Sequence, residues 1–190
     1  MRFSKTLLAA LIMSLAAAAP VSADSLLGDK DCFGTLGACA EGSIVPYTSV
    51  TADVSDPAFT DRWMTTSTMQ SWAHTFAPTS FDGLLSFRTL GIGDVAGPYD
   101  VFADGIVVGQ IPYDGGVGHN YVETFTFALS SAIMADGIVN VSFTPSSSDG
   151  WAIDYSEVTA VPEPETYAML LAGLGLLGFA GRRRKQKLAA

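Results

Sequence analysis

The sequence predicts an all-β body, an antiparallel β-sandwich of about eight strands in a jelly-roll arrangement, followed by a single apolar helix near the C-terminus. Three observations carry this. Between Asp24 and Val161 no window shows a sustained 3.6-residue apolar period, whereas short runs alternate apolar and polar positions. Five Asp-Gly pairs punctuate those runs: Asp82-Gly83, Asp104-Gly105, Asp114-Gly115, Asp136-Gly137 and Asp149-Gly150. Asp-Gly supplies the positive φ angles that tight β-turns require. The segment 24–161, at 138 residues, suits one domain with a real core and is too short for two.

The elements follow in chain order. Met1–Ala23 has Arg2 and Lys5, then the apolar stretch Leu7–Leu15, then Val21-Ser22-Ala23. A charged start, a short apolar stretch and small residues are the layout of a secretory signal peptide, with cleavage by signal peptidase expected after Ala23. The competing reading is an uncleaved anchor. Asp24–Gly42 is less regular and holds Cys32 and Cys39, the only cysteines of the chain. In an oxidising compartment an even pair reads most simply as a disulfide closing a small loop; two buried thiols or a metal site are the alternatives.

The strands are then read from their alternation. Trp72, His74 and Phe76 share one face, as do Leu85, Phe87 and Thr89; Phe125, Phe127 and Leu129; Val139, Val141 and Phe143; and Trp151, Ile153 and Tyr155. The sharpest expectation is a hairpin in which Tyr99–Ala103 turns at Asp104-Gly105 into Ile106–Gln110.

Charge narrows the function. The chain has 10 Lys and Arg against 19 Asp and Glu, and the segment 24–161 keeps only Lys30, Arg62 and Arg88 against 17 carboxylates, a balance of −14. So acidic a surface has no electrostatic footprint for DNA or RNA. Nor does the sequence display nucleophile chemistry. Its two histidines are His74, which faces the same way as two aromatic rings, and His119, which follows a glycine-rich stretch. Paired carboxylates for glycoside hydrolysis are conceivable among 17 acids, but no feature selects a pair.

The C-terminal end mirrors the N-terminal one. Val161-Pro162-Glu163-Pro164-Glu165 favours an extended, proline-stiffened backbone. Sixteen uncharged residues, Thr166 to Gly181, come next, and then Arg182-Arg183-Arg184-Lys185 with Lys187. As a helix the uncharged stretch spans ~24 Å, short of a ~30 Å hydrocarbon core, so its ends must snorkel or the bilayer thin. The basic cluster stays cytoplasmic by the positive-inside rule, which leaves the acidic body outside.

This ordered set resembles the PEP-CTERM sorting signal of Gram-negative bacteria that make exopolysaccharide. The resemblance covers Val161–Ala190. It implies that Pro162, Glu163 and Pro164 are recognised by exosortase, a membrane-embedded cysteine protease or transpeptidase, while the helix and Arg182, Arg183, Arg184 and Lys185 hold the substrate in the membrane. The implied organisation is a signal peptide at 1–23, an exported sandwich at 24–161 and a sorting signal at 162–190. The protein would be anchored only transiently, then released or attached at the cell surface or in the extracellular matrix of a biofilm.

A second resemblance covers fewer residues. Trp151-Ala152-Ile153-Asp154-Tyr155-Ser156-Glu157-Val158 is similar to the closing strand of calcium-containing carbohydrate-binding jelly rolls, in which the Asp helps to hold a structural ion. That implies calcium at Asp154. Asp94, Asp100 and Asp104, which cluster around the central hairpin in the sequence, are the further candidate ligands, with ordinary turn acids as the alternative reading. Tyr113 and Tyr121, on either side of the loop 114–120, are the rings best placed for glycan contact. The functional expectation is a non-enzymatic surface or matrix protein whose body serves adhesion or exopolysaccharide association. The alternative is a carbohydrate-active enzyme on the same scaffold.

Overall fold

The computed structural model describes residues 24–34, 39–52, 57–92, 97–113, 121–145, 150–161, 171–177 and 179. Eight strands form two antiparallel four-stranded sheets. They are β1 (Asp24–Gly28), β2 (Gln70–Thr75), β3 (Asp82–Leu90), β4 (Tyr99–Ala103), β5 (Ile106–Ile111), β6 (Val122–Leu129), β7 (Ile138–Phe143) and β8 (Ala152–Val161). One sheet runs β1-β8-β3-β6 and the other β2-β7-β4-β5. The sandwich and its strand number are those the alternation predicts.

The inward faces meet in one apolar core. Leu85, Phe87, Val101, Ile111, Val139, Val141, Phe143, Trp151, Ile153 and Val158 are all fully buried there. Phe143 is the hub of the aromatic packing: its ring lies 5.5–6.1 Å from those of Trp72, Phe87, Tyr99 and Trp151. Such tilted and stacked contacts add to plain area burial.

The hairpin forms where expected, and β5 runs one residue further than Gln110, to Ile111. Its turn residues Asp104 and Gly105 have φ of 50° and 76°. Two consecutive positive φ values match the right-handed strand twist, and this accounts for the Asp-Gly pair.

Two expectations change. Asp24–Gly28 is an ordered edge strand, β1, paired along its length with β8. Its Ser25-Leu26-Leu27 is too short to show a period. The second change concerns the last strand, whose residues Trp151, Ile153 and Tyr155 do not share a face throughout. The register passes from Arg88↔Tyr155 to Thr89↔Ile153, so Asp154 is an extra residue on β8. A bulge of this kind breaks the period of two. Trp151 and Ile153 stay in the main core, whereas Tyr155 lies under two cations, with Lys30 Nζ 4.8 Å and Arg88 Cζ 5.4 Å from its ring centre.

A second, smaller core sits at one end of the β1-β8-β3-β6 sheet. It joins Cys32, Phe33 and Val45 to Leu90, Val122 and Ala152. Cys32 and Cys39 are bonded to each other, with their Cα atoms 5.4 Å apart. Residues 171–177 are helical. Among the described residues no helix is long and apolar enough to cross a membrane.

Candidate functional site

The site is built around the bulge on β8. The bulge turns Asp154 toward the end of β1, where the chain leaves the sheet at Gly28. Gly28 has φ of 79°, and a Cβ there would run into the Asp154 carbonyl and Thr60. Only glycine allows that approach. The chain then turns through Asp29, Lys30 and Asp31 before Phe33. From the other side comes Asp61, whose N–H donates to the Ile153 carbonyl at 2.7 Å and whose φ is 48°.

These turns bring four carboxylates together. Asp29, Asp31, Asp61 and Asp154 each place one oxygen within 4.8 Å of the others, a group able to hold a metal ion. Asp154 and Asp61 are buried, and Asp29 and Asp31 half-buried. The turn orders its own acids: Asp31 N–H donates to Asp29 Oδ1 at 3.3 Å, and Gly34 N–H to Asp31 Oδ1 at 2.7 Å. Phe33 N–H donates to Asp154 Oδ1 at 2.9 Å. The second oxygen, Asp154 Oδ2, is buried and has no hydrogen-bond partner among the described residues.

Electrostatics agree with that geometry. Burial pushes the Asp154 carboxyl up to about 6; the Phe33 N–H and Arg88 act against this, while Asp31 and Asp29 add to it. A buried carboxylate oxygen without a donor carries a desolvation cost that a cation would remove. The donor set is all oxygen, which suits a hard divalent ion such as calcium better than zinc or copper.

The other acids expected at this site behave differently. Asp94 lies outside the described residues. Asp100 and Asp104 belong to β4 and its turn, in the opposite sheet, and do not join the cluster. Asp100 Oδ1 accepts from Gln110 Nε2 at 2.7 Å. Asp104 Oδ1 accepts from the Asn140 N–H and Nδ2 at 2.9 and 2.8 Å. These are turn and cross-strand partners. Sequence reasoning missed Asp29, Asp31 and Asp61; the one signal for them was an Asp-x-Asp directly after the turn glycine Gly28.

Both rings singled out for glycan contact flank residues 114–120. Tyr113 is exposed, and Tyr121 is half-buried where it bridges Ile44. A further aromatic pair lies in the long segment before β2: Tyr47 is exposed and its ring stands 5.5 Å from that of Trp63. A shallow groove of about 590 Å³ crosses the outer face of the other sheet, floored by Ser71, Ala73, Asn140 and Ser142 and edged by Met69 and Asp104.

His74 is sealed between the sheets. Its Nε2 lies 2.8 Å from Ser156 Oγ and its Nδ1 3.2 Å from Ser25 Oγ, while Trp72 Nε1–H donates to the same Ser156 oxygen at 2.9 Å. Burial lowers its pKa to about 4, against a raising contribution from Ser25. The ring is therefore neutral near pH 7 and satisfied on both nitrogens, the packed histidine that its aromatic neighbours imply. His119, Pro162, Glu163, Pro164, Arg182, Arg183, Arg184 and Lys185 lie outside the described residues.

The class this fold and site define is an antiparallel sandwich with an acidic, cation-ready cluster at one end of its β1-β8 pair. The tail adds the more particular assignment: residues 160–185 match the PEP-CTERM protein-sorting motif. This motif implies export and processing at the cell envelope, with exosortase as the processing partner. No curated protein matches the chain.

Among solved structures the chain is similar to three family 35 carbohydrate binding modules. One is from Clostridium thermocellum, at 21% identity over 49% of this chain and 70% of that one, with a TM-score of 0.33. Another is from an environmental isolate, at 14% identity over 77% and 96%, with a TM-score of 0.39. The third, from Cellvibrio japonicus, has 19% identity over 73% and 94% and a TM-score of 0.38. At these identities the likeness assigns neither a ligand nor a residue role.

Proposed function

We propose that this chain is an exported, non-enzymatic surface protein of a Gram-negative bacterium, trimmed by exosortase through its C-terminal signal, whose sandwich body contacts matrix polysaccharide. The observation that carries this reading is the junction at Val161. Strand β8 ends there, paired with Asp82, and Pro162 is the next residue. That the last strand of the sandwich ends beside Pro162 supports reading the sandwich as cargo and the tail as its address.

In this reading signal peptidase cuts after Ala23 and the apolar helix lodges in the membrane. The cluster Arg182, Arg183, Arg184 and Lys185 keeps the tail inside. Exosortase recognises Pro162-Glu163-Pro164, and the body is released or attached at the surface. Calcium, when bound, supplies a structural cross-link between the end of β1, the segment around Asp61 and β8. Asp29, Asp31, Asp61 and Asp154 hold it. Tyr113 and Tyr121 are the proposed rings for the glycan. The sealed, neutral His74 supports a binding role, since it cannot reach a solvent-borne substrate as a base.

The test has two arms. Replacing Pro162, Glu163 and Pro164 by alanine should leave a longer, membrane-retained form on a gel, and unchanged processing would refute the sorting step. The purified body should bind one or more polysaccharides of a panel without hydrolysing any; hydrolysis would favour the carbohydrate-active enzyme.

A further inference from the structure

The strand register assigns the strand ends of the sandwich to one of two poles. β8 ends at Val161 opposite Asp82, the first residue of β3, and β1 begins at Asp24 opposite Thr159. The segments 76–81 and 130–137 close the same pole, joined by Phe76 N–H to the Gly137 carbonyl at 2.9 Å and Thr79 N–H to the Met134 carbonyl at 3.3 Å. The two-residue turn at Asp104 and Gly105 points the same way. The opposite pole gathers the described residues 29–34, 39–52, 57–69, 91–92, 97–98, 112–113, 121 and 144–145 with 150–151. Met64 bridges Trp151 there, Gly91 N–H donates to the Tyr121 carbonyl at 3.1 Å, and Tyr99 Oη donates to the Ile92 carbonyl at 2.8 Å.

The two poles differ in content. The first has short connections, and its charged residues among those described are Asp24, Asp82, Asp104 and Asp136. The second holds the acidic cluster, the disulfide, the Tyr47–Trp63 pair and Tyr113. The cations Lys30, Arg62 and Arg88 also lie toward it, with Lys30 paired to Glu157 at 2.9 Å.

We infer that the tethered protein stands on the pole where β1 begins and β8 ends, the anchor pole, which faces the membrane and the processing enzyme, and turns the opposite, loop pole outward. This rests on the sorting reading, because the tether leaves at Val161. The ten residues of β8 separate the poles by ~33 Å along that strand, and the six residues of β2 and of β7 by ~20 Å on the other sheet. Asp24 sits on the strand next to β8, so a chain still joined to its signal peptide would be pinned at two neighbouring points of the same pole. The sandwich can then fold before either end is cut.

The experiment uses the full chain, disulfide formed, inserted in vesicles containing lipids with nitroxide headgroups. Single thiols at exposed positions carry a fluorophore: Ala135→Cys and Ser80→Cys at the anchor pole, Thr48→Cys and Met69→Cys at the loop pole. Quenching several-fold stronger at both anchor-pole labels than at both loop-pole labels is the expected result. Equal quenching at the two poles, or stronger quenching at Thr48→Cys and Met69→Cys, overturns the orientation. A chain that fails to float with the vesicles overturns instead the membrane tether on which the orientation rests. Two positions per pole guard against one label disturbing the fold.

Discussion

Two buried polar centres lie two residues apart along β8 and make quite different contacts. Ser156 faces inward, where it joins His74 and Trp72 in a network whose nitrogens and hydroxyls satisfy one another. Asp154 faces the end of β1, where one oxygen accepts from Phe33 and the other finds no donor among the described residues. Both groups are fully buried. The contrast teaches that burial alone does not make a binding site. A closed network specifies packing, whereas a buried acid left open among three other acids forms a group able to hold a metal ion.

The largest effect that would break this comparison is metal removal. With calcium at a thousandfold excess over its Kd, binding to the folded state alone stabilises by about 4 kcal/mol. Chelation should therefore lower the thermal midpoint of the wild-type body, and Asp154→Asn should abolish the difference between the two conditions. Identical melts of the wild type with and without chelator would remove the ion from the account.

Next in size is the pH response of the closed network. The folded-state pKa of His74 is lowered to about 4, below the ordinary value of 6.5. Between those values the unfolded chain takes up a proton that the folded chain refuses. Stability is therefore full above pH 6.5 and falls as pH drops toward 4, by on the order of 3 kcal/mol. Denaturant titrations at pH 7 and pH 4.5 read this, and His74→Phe should flatten the part that belongs to the histidine. An equal loss in both proteins would place the acid sensitivity elsewhere.

The smallest effect sharpens the contrast from a third position. Asp104 carries the same carboxyl group as Asp154 but is exposed, and it spends one oxygen on Asn140. Asp104→Ala should cost about 1 kcal/mol, the net worth of such bonds. It should leave the chelator response unchanged. A lost response would tie the hairpin to the cation site.

Much of this was legible from local chemistry. Asp104-Gly105 and Asp136-Gly137 located turns because only certain residues tolerate positive φ, so the β4–β5 hairpin could be placed to within one residue. Asp82-Gly83 instead opens β3 inside the sheet, and Asp114-Gly115 and Asp149 lie outside the described residues. Alternation located the strands because side chains on a pleated backbone switch faces at every step. Both signals act over a few residues. The bulge at Asp154 does not show in its own strand, since it is set by the register against β3. Asp29, Asp31 and Asp61 meet Asp154 only after β1 pairs with β8 and the segment before β2 folds back on Ile153. Asp154 itself was legible through its resemblance, whereas the partners expected for it, Asp100 and Asp104, sit near the hairpin in sequence and in the other sheet in space. Composition could count the acids but could not tell which were already satisfied.

The central claim is that a sandwich beginning at Asp24 and ending at Val161 is cargo, cut from a membrane-held signal at each end. Mass spectrometry of the mature protein recovered from its native host tests it most directly. The account predicts a chain that starts at Asp24 and has lost the helix and the cluster Arg182, Arg183, Arg184 and Lys185. A mature protein with the mass of the full 190 residues, both apolar ends still attached, would contradict it.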